Sequence, residues 1–222
     1  MTTERSLREA ICEVGRRMYA RNLVAATDGN ISVRLEPDRF LCTPSGVSKG
    51  FMSPDDIVVA NAQGEKIVGR GKVTTEFFTH LAAYEQRPDI GAVVHGHPPI
   101  VTGLTLAGLG MEQVFLPEVG YALGPIPTAD YATPGTKEGA GVIREWIGKC
   151  DALLLDRHGA ICVGKDVFDA LFKLEKVEHA AEAFVVARSL GTVRLMQPEE
   201  LARLRPVREE YGVTGRALDE GE

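Results

Sequence analysis

Apolar residues recur at helical spacing through the first 20 positions, where Leu7, Ala10, Ile11, Val14 and Met18 fall on one stripe. Ser6, with Glu9 three residues on, has capping-box spacing, so the pattern predicts a helix that opens at Ser6 and ends near Asn22. The period then drops to two. Asp28-Gly29-Asn30 is a turn signal, and Ile31, Val33 and Leu35 alternate after it as a half-buried strand. RFLC predicts a second strand running into Thr43-Pro44-Ser45-Gly46, and IVVA and KIVG predict two more on either side of a turn at Gln63-Gly64.

Helical spacing returns over 75–86, stops before Pro88, and gives way to a strand over 91–97. Residues 100–110 predict a short helix or turn, 114–119 (VFLPEV) an extended strand, and 123–136 an ordered loop rich in glycine and proline. A helix is expected over 137–149 with Val142, Trp146 and Ile147 inward, then strands at 152–156 and 160–163. A long helix from about 166 to 190, closed by Gly191, carries Val167, Ala170, Leu171, Leu174, Val177 and Ala181 on one face. The charged tail, 197–222, has Leu201, Leu204 and Tyr211 as its main apolar groups and is expected to pack on another subunit. Hairpin-like strands with helices between and at both ends predict an α/β chain of the α+β kind. The expected architecture is three-layer α/β/α around a mixed, mainly antiparallel sheet.

Length and charge narrow the classes. At 222 residues and 24.0 kDa, with no linker or repeat, one domain is expected to span residues 1–222. A net charge of −6 and a pI near 5.5 argue against nucleic acid as a partner. No apolar run approaches the roughly 20 residues that span a bilayer, and the N-terminus MTTERSLREA lacks a secretory h-region. The expectation is a cytoplasmic protein with no membrane partner. Cys12, Cys42, Cys150 and Cys162 lack CxxC spacing and are read as small buried hydrophobes.

The candidate chemistry centres on AVVHGHPP, residues 92–99. His95 and His97 lie two apart on a strand and therefore share a face, a chelating pair suited to a borderline-soft divalent ion such as zinc. His158, in LLLDRHGA, is the candidate third ligand, whereas His80 and His179 lie in helical stretches and are read as structural. Three segments could receive an anion: the turn with Asn30, the hydroxyls and amides of Thr43-Pro44-Ser45-Gly46, and a helix start holding Thr74, Thr75 and Glu76. Taken singly, each also reads as an ordinary turn, and Glu76 as a favourable first-turn carboxylate.

Together these motifs carry a resemblance. GNIS at 29–32, TPSG at 43–46, TTE at 74–76, HGH at 95–97, YATPGT at 131–136 and RHGA at 157–160 have the order and spacing of the class II aldolase/adducin family. From about residue 6 to 211 the chain resembles its L-fuculose-1-phosphate aldolase branch. The resemblance implies zinc held by His95, His97 and His158, with Glu76 completing the coordination and serving as the acid/base. It implies a substrate phosphate among Asn30, Ser45, Gly46, Thr74 and Thr75, where threonines replace two serines. It implies a cyclic homotetramer with sites between subunits, to which Tyr211 brings a catalytic hydroxyl; Leu116 stands where the family has a second tyrosine, with Tyr121 five residues on.

The implied function is metal-dependent cleavage of a ketose 1-phosphate to dihydroxyacetone phosphate and an aldehyde. L-fuculose 1-phosphate is one substrate, and the apolar Leu116 region would suit a 5-deoxy or 5-methylthio ribulose 1-phosphate. The glutamate at position 76, where 4-epimerases have aspartate, favours an aldolase; a sugar-phosphate dehydratase or decarboxylase is the alternative. A non-enzymatic adducin-like module would be expected to lack the metal residues, which are present. No lysine sits at a buried strand end as a Schiff-base mechanism would require. Cobalt, nickel or manganese could replace zinc on three imidazoles.

Overall fold

In the computed structural model, which describes residues 3–210 and 213, the alternating stretches form eight strands. These are β1 (Asn30–Glu36), β2 (Arg39–Cys42), β3 (Val58–Ala60), β4 (Lys66–Val68), β5 (Ala92–Gly96), β6 (Thr128–Ala129), β7 (Ala152–Leu155) and β8 (Gly159–Gly164). They join in one sheet in the order β4-β3-β2-β1-β5-β8-β7-β6, antiparallel throughout except for β6 on β7. The mixed, mainly antiparallel sheet is the one the sequence predicts.

Side-chain alternation divides the core into two. Ile31, Val33 and Val94 face one side, where they pack with Ile11 of α1 (Glu4–Ala20), Val101 of α3 (Pro99–Leu106) and Leu174 of α6 (Val167–Leu190). Phe40, Val93 and Ile161 face the other, against Phe77 and Leu81 of α2 (Phe77–Gln86) and Ile143 of α5 (Lys137–Trp146). Helices therefore cover both faces, giving the expected α/β/α layers.

Several boundaries differ from expectation. The first helix opens one turn early, capped by Thr3, whose hydroxyl accepts from the Ser6 amide while the Ser6 side chain accepts from the Thr3 amide. Ser6 thus closes the capping box, and Glu9 pairs with Arg5. The predicted strand at 114–119 is replaced by a short helix, α4 (Pro117–Ala122), started by Pro117 in its first turn, where a missing N–H costs nothing. The charged tail forms α7 (Pro198–Glu210) and packs on α4 of its own chain, with Leu201 and Leu204 against Gly120 and Arg208 donating to the Tyr121 carbonyl. Tyr211 lies outside the described residues. No described helix is long and apolar enough to cross a membrane.

A buried ion network anchors the end of β7. Arg87 and Asp151, each 1% exposed, lie 2.8 Å apart, and Lys173 donates to the second Asp151 oxygen at 2.7 Å. Arg87 also bonds the Ile147 and Cys150 carbonyls. Replacing Asp151 with alanine would remove the buried carboxylate that the two cations share, leaving Arg87 with the half-exposed Asp89 and Lys173 with Asp169. The expected loss is about 3–5 kcal/mol, read as a lowered urea midpoint with an unchanged slope. A midpoint within experimental error of the parent would show that the network is dispensable.

Candidate active site

The site lies where β5 ends. Register sets His95 directly opposite Asn30 of β1 and Ile161 of β8, so its imidazole stands on the α2 side of the sheet. His97 follows one residue beyond β5, its amide held by the Leu23 carbonyl at 2.8 Å. His158 comes from the tight turn between β7 and β8, where its amide bonds the Leu155 carbonyl. Arg157 is forced into the left-handed region in that turn, with φ of 56°, and its amide is held by the buried Thr105 hydroxyl at 3.0 Å. Gly159 passes so close to the Gly96 carbonyl that any side chain there would collide with it, so glycine at 159 is what allows the two histidine-bearing segments to close up at that point.

The three rings form a nearly equilateral triangle, with centroids 4.7, 4.8 and 4.9 Å apart. Glu76, from the turn leading into α2, closes it, with its carboxylate oxygens 3.5 Å from His95 Nε2 and 3.6 Å from His158 Nε2. One ligand atom from each of Glu76, His95, His97 and His158 lies within 4.8 Å of the others. His95 Nδ1 bonds the Ala160 carbonyl at 2.9 Å, which makes it the protonated nitrogen and leaves Nε2 as a lone pair facing inward. His97 Nε2 faces that lone pair at 3.0 Å.

Burial holds all three histidines neutral at pH 7. His95 and His158 are shifted down chiefly by desolvation, and His97, where burial acts together with the repulsion a protonated His95 would add, falls to about 4. Burial pushes Glu76 up, but attraction to the His95 ring, which acts only when that ring is protonated, and a hydrogen bond from Asn30 outweigh it, and the carboxyl ends below its ordinary range. Three neutral imidazoles and a carboxylate converging on one point are the donor set of a divalent metal, zinc-like in its nitrogen content. The residues fit such an ion.

The candidate anion segments also converge. The Thr43 amide donates to the Ile31 carbonyl and the Thr43 hydroxyl accepts from the Ile31 amide, which brings the turn at 43–46 beside Asn30. Pro44 bridges to Val73, and the Ser45 amide bonds the Lys72 carbonyl, bringing Thr74 and Thr75 to the same place. Ser45, Gly46 and Thr75 are exposed there, while Asn30 and Thr74 are buried. Thr74, Thr75 and Glu76 precede the helix, which starts at Phe77, so they form the turn into it and not its first turn. Gly29 adopts φ of 70°, and a Cβ there would lie 2.9 Å from the His95 carbonyl, so only glycine lets the Asn30 turn press against the histidine strand.

Sequence reasoning missed three groups here. Lys49, 2% exposed, donates to the Thr27 and Val47 carbonyls at 2.7 and 2.6 Å and so ties the two turns together. Burial lowers its ammonium to about 8. Ser32 and His80 form a buried polar chain behind Asn30. The spacing could have pointed to Ser32 and His80, though not to Lys49: Glu76, His80 and Tyr84 are four apart along α2 and its lead-in turn, and Asn30 and Ser32 are two apart on β1. His179 is exposed on α6, and the four cysteines are free and buried. An open cleft beside Glu76 and His158 is lined by Thr79, Asp130, Val142 and Leu155.

Fold and site together define a protein with a three-histidine, one-carboxylate centre beside a cluster of anion-receptive turns. Residues 9–185 match the class II aldolase and adducin N-terminal domain, and the chain belongs to that family. It is 35% identical over 210 residues to a 5-deoxy-D-ribulose 1-phosphate aldolase of Bacillus thuringiensis serovar kurstaki, covering 92% of this chain and 96% of that protein. It is 32% identical over 208 residues to a 3-oxo-tetronate 4-phosphate decarboxylase of Escherichia coli K12, covering 91% and 96%. Among solved structures, an L-fuculose 1-phosphate aldolase superposes with a TM-score of 0.84 at 26% identity, covering 93% of this chain and 96% of that one. The chain is an enzyme of the lyase type.

Proposed function

We propose that the enzyme is a metal-dependent aldolase that cleaves a 5-deoxy or 5-methylthio ribulose 1-phosphate, or L-fuculose 1-phosphate, reversibly to dihydroxyacetone phosphate and an aldehyde. The observation that carries this is the convergence of Glu76, His95, His97 and His158 beside the turns of Asn30, Ser45 and Thr75. Glu76, His95, His97 and His158 would hold the ion, zinc first and cobalt, manganese or nickel as substitutes, which would supply a Lewis acid for the substrate carbonyl.

The chain's own residues do the rest. Asn30, Ser45, Gly46, Thr74 and Thr75 hold the phosphate, the part of the substrate that does not react, and so fix the reacting carbons against the centre. As the C3–C4 bond breaks, the hydroxyl on C4 passes its proton to solvent by way of the Tyr211 hydroxyl and becomes the aldehyde carbonyl. The bonding pair stays with C3 as an enediolate, and Glu76 takes up a proton from solvent and delivers it to C3. Tyr211, supplied by the neighbouring subunit of a homotetramer, serves the aldehyde side. Phe51 and Leu106, 75% and 66% exposed, offer apolar surface for such an assembly. The Bacillus relative favours a deoxy tail over a hydroxylated one.

A second reading is decarboxylation of a 3-oxo sugar-acid phosphate, favoured by the Escherichia coli relative. The physical demand is the same, since losing carbon dioxide beside a carbonyl also leaves an enolate. The test is release of dihydroxyacetone phosphate, followed with a coupled dehydrogenase, from 5-deoxyribulose, methylthioribulose, fuculose and rhamnulose 1-phosphates, with and without prior chelation. Chelator-sensitive release, fastest with a deoxy or methylthio tail, is expected. Protein that holds its metal yet releases none, while liberating carbon dioxide from 3-oxo-tetronate 4-phosphate, would replace the first reading with the second.

A further inference from the structure

Behind the candidate centre runs a single file of buried polar side chains. Asn30 Nδ2 donates to Glu76 Oε2 at 2.7 Å, and Asn30 Oδ1 meets His80 Nε2 at 2.5 Å. His80 Nδ1 meets the Ser32 hydroxyl at 2.7 Å, and that hydroxyl meets the Tyr84 hydroxyl at 2.9 Å. The file comes from two regular elements packed face to face: Asn30 and Ser32 alternate on β1, and His80 and Tyr84 sit one helical turn apart on α2. His80 is 0% exposed, and nothing in the family reading assigns it a task.

Donor counting gives the file one direction. An ionised Glu76 can only accept, so Asn30 must turn its amide nitrogen to it and its carbonyl oxygen to His80. That oxygen needs a donor, so His80 carries its proton on Nε2, and its bare Nδ1 accepts from Ser32. Ser32 in turn accepts from Tyr84. Every donor therefore points toward the carboxylate, and His80 is the member that locks the Asn30 amide. A flipped amide would set its oxygen against Glu76, and also against a phosphate held by the same side chain.

We infer that His80 is a positioning residue: by donating to Asn30 Oδ1 it fixes which end of that amide faces both the Glu76 carboxylate and the substrate phosphate. One Asn30 N–H then holds Glu76 Oε2 and leaves Oε1 as the oxygen that carries the proton, while the second N–H is directed to the phosphate. The inference rests on the proposed roles of Glu76 and Asn30.

The test uses metal-loaded protein and two probes. His80→Phe keeps the volume and removes the donor; His80→Gln keeps an N–H able to reach Asn30. In His80→Phe, binding of inorganic phosphate, measured by calorimetry, and kcat for the preferred sugar phosphate are each expected to fall about 10- to 100-fold, as when a partner that orients a metal-site group is lost. Metal content should stay at the parent level. His80→Gln should recover much of both, and in an Asn30→Ala background His80→Phe should change neither further. A folded His80→Phe protein with both quantities within twofold of the parent overturns the inference, as does a full second loss on top of Asn30→Ala. Should His80→Phe not fold, Ser32→Ala, which frees His80 to change tautomer, is read in its place against the same thresholds. The aldolase reading fails separately: phosphate binding would still respond to His80 if no ketose phosphate were cleaved.

Discussion

His95→Ala is expected to abolish metal binding and, with it, activity. The imidazole is 2% exposed, its Nδ1 is fixed on the Ala160 carbonyl, and its Nε2 faces both His97 and Glu76. Removing it deletes the buried nitrogen that faces both neighbours and opens a hole between His97, His158 and Glu76, so the donors that remain no longer close around an ion. A Lewis acid at the ketone oxygen would lower the barrier by several kcal/mol. Each 1.4 kcal/mol is about tenfold, so the rate should drop by at least about 10³-fold. The checks are metal content by elemental analysis and the thermal midpoint with and without added ion. The parent's midpoint should rise with metal because only the folded chain presents the site, and that of His95→Ala should not. A variant that kept stoichiometric metal and within tenfold of parental activity would remove His95 from the centre.

Much of the fold was legible because strand and helix periods differ. The stripe from Leu7 to Met18 and the alternation Ile31, Val33, Leu35 place both elements without tertiary information. Two errors share a cause, in that a local signal was read one step off. Thr3 caps the first helix with Ser6 as the box partner, whereas Ser6 with Glu9 offers the same spacing one turn later. In VFLPEV the apolar run suggests a strand, yet Pro117 followed by Glu118 is a helix-start signal, and tertiary packing resolves it that way.

The candidate site divides along the same line. His95 and His97 show in the sequence because both lie on one short strand-end, and His158 because it sits in an apolar hairpin. What no local pattern carries is the meeting of the turns. That depends on long-range pairing, Thr43 with Ile31 and Pro44 with Val73, which exists only once β2 lies beside β1. His80 was hidden for another reason. A lone histidine among apolar helix residues reads as core, and it is core; its partner Asn30 lies 50 positions away.

The second large effect is expected from Glu76→Gln, which keeps size and shape and removes the carboxylate proposed to carry the proton. Glu76 lies at the one place where the ring triangle, the Asn30 amide and the start of α2 meet. The glutamine oxygen can still accept from Asn30 Nδ2, so the chain should fold and the buried file should persist. What it cannot do is hold a proton reversibly for C3. General acid–base catalysis contributes about 10²- to 10⁴-fold, and kcat should fall within that range while KM moves little, because the phosphate turns are untouched. The three histidines remain, so metal should be retained. The discriminating readout is exchange of the C3 proton of dihydroxyacetone phosphate with solvent in the absence of aldehyde, followed by NMR. Exchange should vanish in Glu76→Gln. If instead exchange continued at the parental rate while cleavage stopped, the carboxylate would be acting on the aldehyde half, and the proton at C3 would have to be carried by another group of the site.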